Sequence, residues 1–480
     1  MTLGTLRKMA LSGMYDHVGG GFHRYATDRE WHVPHFEKML YDQAQLVVSF
    51  LEAFQIMQDR FYADVAVDVL EYIEREMSHP DGGWYSAQDA ESGINAELPT
   101  QKKEGAFYTW TYKEAKGLLT DEEFRLITKT YDVQEGGNVL SDLHGEFSGL
   151  NILHIPHPFE QAADAVGVSR DAARSLLASA KLKLRTARMR RPAPHRDDNI
   201  LVSWNGLMIS AFARASQALA NPAYRESAAK AARFILSVMK QKGHLVRRYR
   251  DGEARFDAHL DDYAFLAQGL IDLYEASFDI RWLREAFNLA DELIRRMYDD
   301  KNGGFYDTGN LDPTILVRTK EFYDSAEPTG NSVAILTLLR LTSFLGRTEY
   351  ETRARSSLQY FAGRMKQAPS AMPQFLVAYD FSSSKPKQII LAGEPNHTDT
   401  QRLVTEIHRR FIPNKIVLAV SSENRGFLES MVPFVKTVQP IGGKATAYVC
   451  EDFACKLPTT DPKVLAGLLD EGGQINRSSN

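Results

Sequence analysis

Apolar residues recur at helical spacing through Phe36, Leu40, Ala44, Val47, Leu51 and Phe54. They do so again, after the link Asp59-Arg60, through Phe61, Val65, Val69, Ile73 and Met77. A repeat of three to four residues places each series on one stripe, so the spacing predicts two amphipathic helices. A link this short makes them antiparallel neighbours. The same design recurs at 203–219 with 223–240, at 259–277 with 281–298 and at 331–345 with 348–366. Segments 112–131 and 160–189 read as a fifth pair. Residues 1–14, with Leu3, Leu6 and Ala10 on one stripe, read as a helix that a late partner would complete into a sixth. Hairpins with short links gather their long loops at one end. The expected fold class is therefore mainly α, an (α/α)6 toroid over 1–385 with chemistry on one rim. Beyond that the pattern changes to strand runs at 388–392, 415–420 and 446–450, with a helical stretch at 398–411. Strand, helix, strand predicts a small parallel sheet, a C-terminal α/β appendage over 386–480.

Three loops share a Gly-Gly-aromatic core: Gly20-Gly21-Phe22, Gly82-Gly83-Trp84 and Gly303-Gly304-Phe305. The last two each follow the second helix of a hairpin, which is the mark of a degenerate structural repeat.

Composition narrows the classes. The 480 residues carry 44% hydrophobic and 25% charged residues, and a net charge of −5 argues against a dedicated nucleic-acid or anionic-membrane binder. No apolar run approaches the roughly 20 residues that span a bilayer. Two cysteines cannot staple a chain of this length, so burial is expected to hold the core and a reducing, cytoplasmic compartment is the default. Cys450 and Cys455 have four residues between them, unlike a thioredoxin-type pair, and read as buried free thiols.

Candidate chemistry concentrates in the long loops. Asp16, His17, His23, Arg24, Trp31, His32 and His35 fall in one of them, and histidine supplies proton donors and acceptors near neutrality. The spacing of these histidines matches no zinc motif, and Gly19-Gly20-Gly21 lacks phosphate-loop spacing, so neither a metal nor another cofactor is expected. A second loop brings Asp197 and Asp198 toward Ser203, a good N-cap, then Trp204 and Asn205, an aromatic face and an amide suited to a sugar. A third brings His259, Asp261 and Asp262 to a helix start, where acids often serve only as caps and dipole partners. A fourth carries Glu327 and Asn331. The basic run Lys181, Lys183, Arg185, Arg188, Arg190 and Arg191 reads as a solvated helix end.

The blocks at 15–25, 31–43, 203–208 (Ser203-Trp204-Asn205-Gly206) and 450–455 closely resemble the spermatogenesis-associated, thioredoxin-domain-containing proteins. The resemblance spans almost the whole chain. It implies a toroid similar to N-acylglucosamine 2-epimerases and six-hairpin glycosidases, preceded by a thioredoxin-like domain that this sequence is expected to lack and that would act as a partner. The leading expectation is a sugar epimerase or isomerase acting on a small carbohydrate substrate. In it His35 and His259 exchange protons, with Asp262 as a further catalytic group, and Arg24 stabilises an enolate. Asp16, His17, His23, Trp31, Asp197, Asp198, Trp204, Asn205, Glu327 and Asn331 would bind the sugar. The alternatives are a glycoside hydrolase with paired carboxylates, for which Asp197, Asp198, Asp262 and Glu327 are candidates, and a non-catalytic scaffold for a redox domain.

Overall fold

The computed structural model describes all residues except 95–96, 140–144, 310–314, 452–453 and 472–480. The chain separates into two compact units. The first comprises Met1–Ala53, Asp59–His79 and Trp84–Asn199, and the second Phe54–Gln58, Pro80–Gly83 and Ile200–Asn480.

The first unit opens with α1 (Thr2–Leu11), followed by the histidine-rich loop, α2 (Leu40–Met57, of which the part up to Ala53 belongs to this unit) and α3 (Arg60–Glu76). Asp59 caps α3 by accepting from Phe61 N, which sets the sharp turn between the helices. The stretch expected as one helix at 112–131 is two, α4 (Tyr112–Leu118) and α5 (Asp121–Tyr131). Thr120 and Glu123 form a capping box that restarts the helix. Likewise 160–189 is broken into α6 (Phe159–Val166) and α7 (Arg170–Arg188) by Gly167 at φ 78° and by the cap Ser169. Short antiparallel strands join distant loops: Lys38–Met39 pairs with Ala87–Gln88, which pairs with Arg196–Asp197.

The second unit holds three successive hairpins: α8 (Val202–Ala218) with α9 (Pro222–Val238), α10 (Leu260–Ser277) with α11 (Ile280–Met297), and α12 (Gly330–Leu345) with α13 (Thr348–Gln367). These match the expected pairs. α10 packs on both α8 and α12, and each of the three also packs on its hairpin partner. That explains the burial pattern. α8 and α10 are buried nearly all round, whereas α11 buries one face through Trp282, Leu283, Phe287 and Leu293. α8 and α10 approach backbone to backbone at two glycines. A Cβ on Gly206 would lie 2.5 Å from the Phe265 carbonyl carbon, and one on Gly269 would lie 2.5 Å from Gly206 O. Side chains cannot relieve a backbone clash, so Gly206→Ala is expected to destabilise the second unit by at least about 1–3 kcal/mol, read as a lower urea midpoint.

Between α9 and α10 the chain forms a hairpin of His244–Arg250 with Glu253–Asp257, which sequence periodicity did not reveal. The C-terminal segment follows α14 (Pro373–Ser383). Its sheet is mixed rather than parallel: Lys387–Ala392 pairs parallel with Lys415–Val420 and antiparallel with Thr446–Glu451. The outer edge of Lys415–Val420 is covered by α10, whose Glu275 accepts from Val417 N (3.0 Å) and whose Tyr274 hydroxyl accepts from Ala419 N (3.3 Å). The 386–480 segment therefore sits within the second unit. Cys450 and Cys455 are joined in a disulfide, which replaces the free thiols expected.

The Gly-Gly-aromatic repeat is real in three dimensions. Tyr15 bridges Phe22, Ser78 bridges Trp84 and Tyr298 bridges Phe305, each across a turn of paired glycines at positive φ. In two of the turns an amide side chain clamps the aromatic residue's backbone. Gln43 accepts from Phe22 N and donates to Phe22 O, both at 2.8 Å, and Asn331 does the same to Phe305 at 2.8 and 2.9 Å.

Among the described residues, no helix is long and apolar enough to cross a membrane.

Candidate functional site

In the first unit the expected site residues divide into a buried set and a half-exposed set. Asp16 is 6% exposed. The Arg188 guanidinium grips it bidentately (2.8 and 2.9 Å), Lys38 Nζ donates at 2.8 Å, and the Val18 and Gly19 amides donate at 3.1 and 2.9 Å. Burial opposes its ionisation, but Arg188 and then Lys38 hold the carboxyl well below the usual range. This anchor folds the glycine loop in place of the sugar contact expected for Asp16. It also corrects the reading of the basic run: Arg188 is buried, Lys183 pairs with Glu123, and Arg191 donates to the carbonyls of Phe107 and Thr109. Asp16→Asn would leave two buried cations undercompensated and is expected to cost the first unit about 3–5 kcal/mol, checked by chemical denaturation.

His17 and His23 are buried as well, and burial pushes each imidazole down to about 3. His17 Nε2 lies 2.9 Å from Ser12 O and His23 Nδ1 3.0 Å from Phe36 O. Both brace the loop from inside, again in place of sugar binding. The half-exposed set brings His35 and Arg24 together. His35 Nδ1 lies 2.7 Å from Glu104, its Nε2 lies 3.7 Å from Glu37, and Arg24 donates to Glu37 at 2.9 Å. Tyr25 stacks on the His35 ring at 4.9 Å. Trp31 holds φ 63° in the loop, with Lys8 Nζ 5.6 Å from its ring. Asp197 accepts from Asn199, and Asp198 pairs with Arg196 at 2.9 Å. Glu104 was not foreseen because only the strand pairing of 91–93 with 102–104 carries it to the loop.

The second unit assembles the denser constellation, at the N-terminus of α10. His259 is the N-cap residue. Asp262, 0% exposed, accepts from His259 N (2.9 Å) and Ser203 N (3.0 Å), locking the starts of α8 and α10 together. Arg247, delivered by the 244–257 hairpin, donates to Asp262 at 2.8 Å and grips Asp261 through both terminal nitrogens at 2.9–3.2 Å. A sealed carboxylate with these partners cannot touch a sugar, so the catalytic part expected of Asp262 becomes a positioning one. The half-buried Asp261 remains the accessible acid of the pair.

Glu327 completes the group. Its carboxylate accepts a hydrogen bond from the Trp204 side chain, and burial and then Asp261 push it up to about 7, against the pull of Trp204 and Arg247. Burial and then Asp261 push Asp262 upward as well, while Arg247 and the His259 and Ser203 amides hold its charged form. Burial and then Arg247 lower His259, although Asp261, Asp257 and Asp307 pull the other way. Asp307 feels both Asp261 and His259, and its backbone carbonyl accepts from Leu260 N at 2.9 Å. Asn205 and Asn331, expected at the sugar, are fully buried. Asn205 donates to Leu201 O at 2.9 Å, and Asn331 holds the Phe305 turn. Thus the structure gathers His259, Asp261, Asp262, Trp204 and Glu327, adds the unforeseen Arg247 and Asp307, and commits the two asparagines to the scaffold. Among the described residues, no group of three or more His, Cys, Asp or Glu is arranged to hold a metal ion.

A mainly α protein of helical hairpins, with a carboxyl, an imidazole and a tryptophan gathered at one helix start, is the class this geometry defines. The chain is similar over almost its whole length to spermatogenesis-associated protein 20. It is 40% identical to the human protein over 491 residues, covering 98% of this chain and 62% of that one, and 39% identical to the mouse protein over 493 residues with the same coverage. An uncharacterised protein of Caenorhabditis elegans is 34% identical over 472 residues, covering 95% and 64%. The chain thus spans less than two thirds of the length of these relatives. No family model matches. Among solved structures, a cellobiose 2-epimerase from Bacillus thermoamylovorans is similar at 11% identity and a TM-score of 0.44, covering 75% of this chain and 71% of that one. An α-1,6-mannanase from Salegentibacter is similar at 10% identity and 0.40, covering 75% and 69%. Likeness at that level carries no argument about chemistry.

Proposed function

We propose that this chain is a carbohydrate-active enzyme of the epimerase or isomerase type, working by general acid–base catalysis at the α10 N-terminus within an (α/α)6 toroid. The observation that carries the reading is Glu327: a half-buried carboxyl pushed up to about 7 by burial and Asp261, hydrogen-bonded by the Trp204 side chain, and acted on by the same Asp261 and Arg247 that act on His259. Moving a proton beside a sugar carbonyl requires one group that gives a proton at neutral pH and one that takes it. Glu327 supplies the first, and His259, kept uncharged by burial and Arg247, supplies the second. Trp204 offers a ring face for the sugar. Arg247 orients Asp261 toward a hydroxyl and keeps its charge from being wholly unscreened. His35 and Arg24 belong to the first unit and have no step in this scheme.

The repulsion by which the Asp261 charge raises Glu327 shows two carboxyls near one another and favours a second reading, hydrolysis of a glycosidic bond by two carboxyls. One experiment separates the two. Aldoses, N-acylhexosamines and disaccharides are incubated with the protein in D2O and followed by proton NMR. Epimerisation gives a second sugar and deuterium at the carbon next to the carbonyl. Hydrolysis gives new reducing ends without deuterium. Neither change with any sugar would remove both readings and leave a non-catalytic role.

A further inference from the structure

We infer that the Cys450–Cys455 disulfide is a thiol–disulfide exchange site that takes an external thiolate at Cys455. This does not rest on the sugar chemistry. The two residues are the chain's only cysteines, and they face each other as a register pair across antiparallel strands, with Cα atoms 3.9 Å apart. Cys450 lies in Thr446–Glu451, whose other side is paired with Lys387–Ala392, and is 2% exposed. Cys455 lies on the outermost strand and is exposed.

A structural staple is a poor account of this bond. A disulfide stabilises mainly by shortening the reach of the unfolded chain, and the gain grows with the loop enclosed. Here the separation is five residues, and the strands are already held by the ladder and by Lys456 N donating to Val449 O at 2.9 Å. Removing the covalent link leaves both sulfurs in register, so the site can open and re-form without the sheet coming apart. The asymmetry of burial fixes the direction of attack. A thiolate reaches only the sulfur of Cys455.

The reaction balances with a thiol of the glutathione or dithiol class as reductant. The external thiolate, having lost its proton to solvent, bonds to Cys455 Sγ. The S–S bond breaks, and Cys450 leaves as a thiolate that takes a proton. A second external thiolate then attacks the outer sulfur of the mixed disulfide and releases Cys455, which is protonated in turn. Two electrons and two protons enter the protein, and one external disulfide leaves. In the absence of the second thiol, Cys450 re-attacks Cys455 and expels the first, so the buried cysteine is the resolving partner.

The test uses the full folded chain. The protein is incubated with millimolar dithiothreitol without denaturant, alkylated and weighed by mass spectrometry. In parallel, Cys450→Ser and Cys455→Ser are exposed to oxidised glutathione. The inference expects two alkylated cysteines in the native protein. It also expects a stable glutathione adduct on Cys455 of the Cys450→Ser variant, with at least about ten-fold less on Cys450 of Cys455→Ser. A disulfide that resists dithiothreitol until the protein is unfolded overturns it. So do equal adducts on the two variants, or a native protein isolated with two thiols that oxidised glutathione fails to join. The wild-type arm decides even where a serine variant does not fold.

Discussion

Glu327→Gln is expected to lower sugar proton exchange by about 10²–10⁴-fold, the usual contribution of a positioned general acid, while sugar binding changes by only a few fold. Glutamine keeps the shape and the acceptor for Trp204 but has no proton to give. Wild-type activity should fall as pH rises through about 7, where Glu327 loses its proton, and should fall on the acid side below the ordinary histidine value, where His259 gains one. The variant's residual activity should lose the alkaline limb. Stability carries the same signature. The folded-state value of Glu327 lies above the unfolded value of about 4.3. Its contribution is therefore complete below the unfolded value and disappears as pH rises through about 7. The melting temperature should decline from mildly acid to mildly alkaline pH, and Glu327→Gln should flatten that decline. A variant with wild-type exchange rates, or an unchanged pH profile, would remove Glu327 from the mechanism.

Asp262→Ala carries the largest expected structural effect. The change strips acceptors from Ser203 N and His259 N and leaves Arg247 bound to Asp261 alone. Breaking a buried, hydrogen-bonded charge pair on one side costs about 3–5 kcal/mol. The loss should fall on the second unit, so the readout is the urea midpoint together with hydrogen exchange of the α8 and α10 amides. Asp262→Asn retains one acceptor oxygen and should lose less. Activity should drop in both variants with the sugar's pH profile preserved, because Asp262 positions His259 and Arg247 and does not itself transfer the proton. Preserved midpoints in Asp262→Ala would show that the helix starts are held by something else.

Which parts of this were legible in the sequence follows from how local each signal is. The hairpins at 203–240, 259–298 and 331–366 were read correctly because helical periodicity and short links are properties of adjacent residues. The breaks at Thr120 and Gly167 were missed because a cap and a single left-handed glycine interrupt a helix without disturbing its hydrophobic stripe. The 244–257 hairpin, dense in arginine, looks like a solvated loop, and only its pairing with Ile200–Leu201 shows where Arg247 goes. Asp16 is expected at the sugar, whereas Arg188, 172 residues away, makes it an anchor of the glycine loop. His259 is expected as a proton-exchanging group, whereas Glu327 is expected on a sugar hydroxyl or as a hydrolase carboxyl. Their fitness depends on burial and on Asp261, which no spacing rule encodes.

In the proposed reaction a sugar sits at the α10 N-terminus, between Trp204, Glu327 and His259. Crystals soaked with a sugar that undergoes exchange test it most directly. The ring should lie against Trp204 with an oxygen within hydrogen-bonding distance of Glu327 and a carbon-bound hydrogen toward His259. A sugar bound elsewhere, with Glu327 still sealed against Trp204, would contradict it.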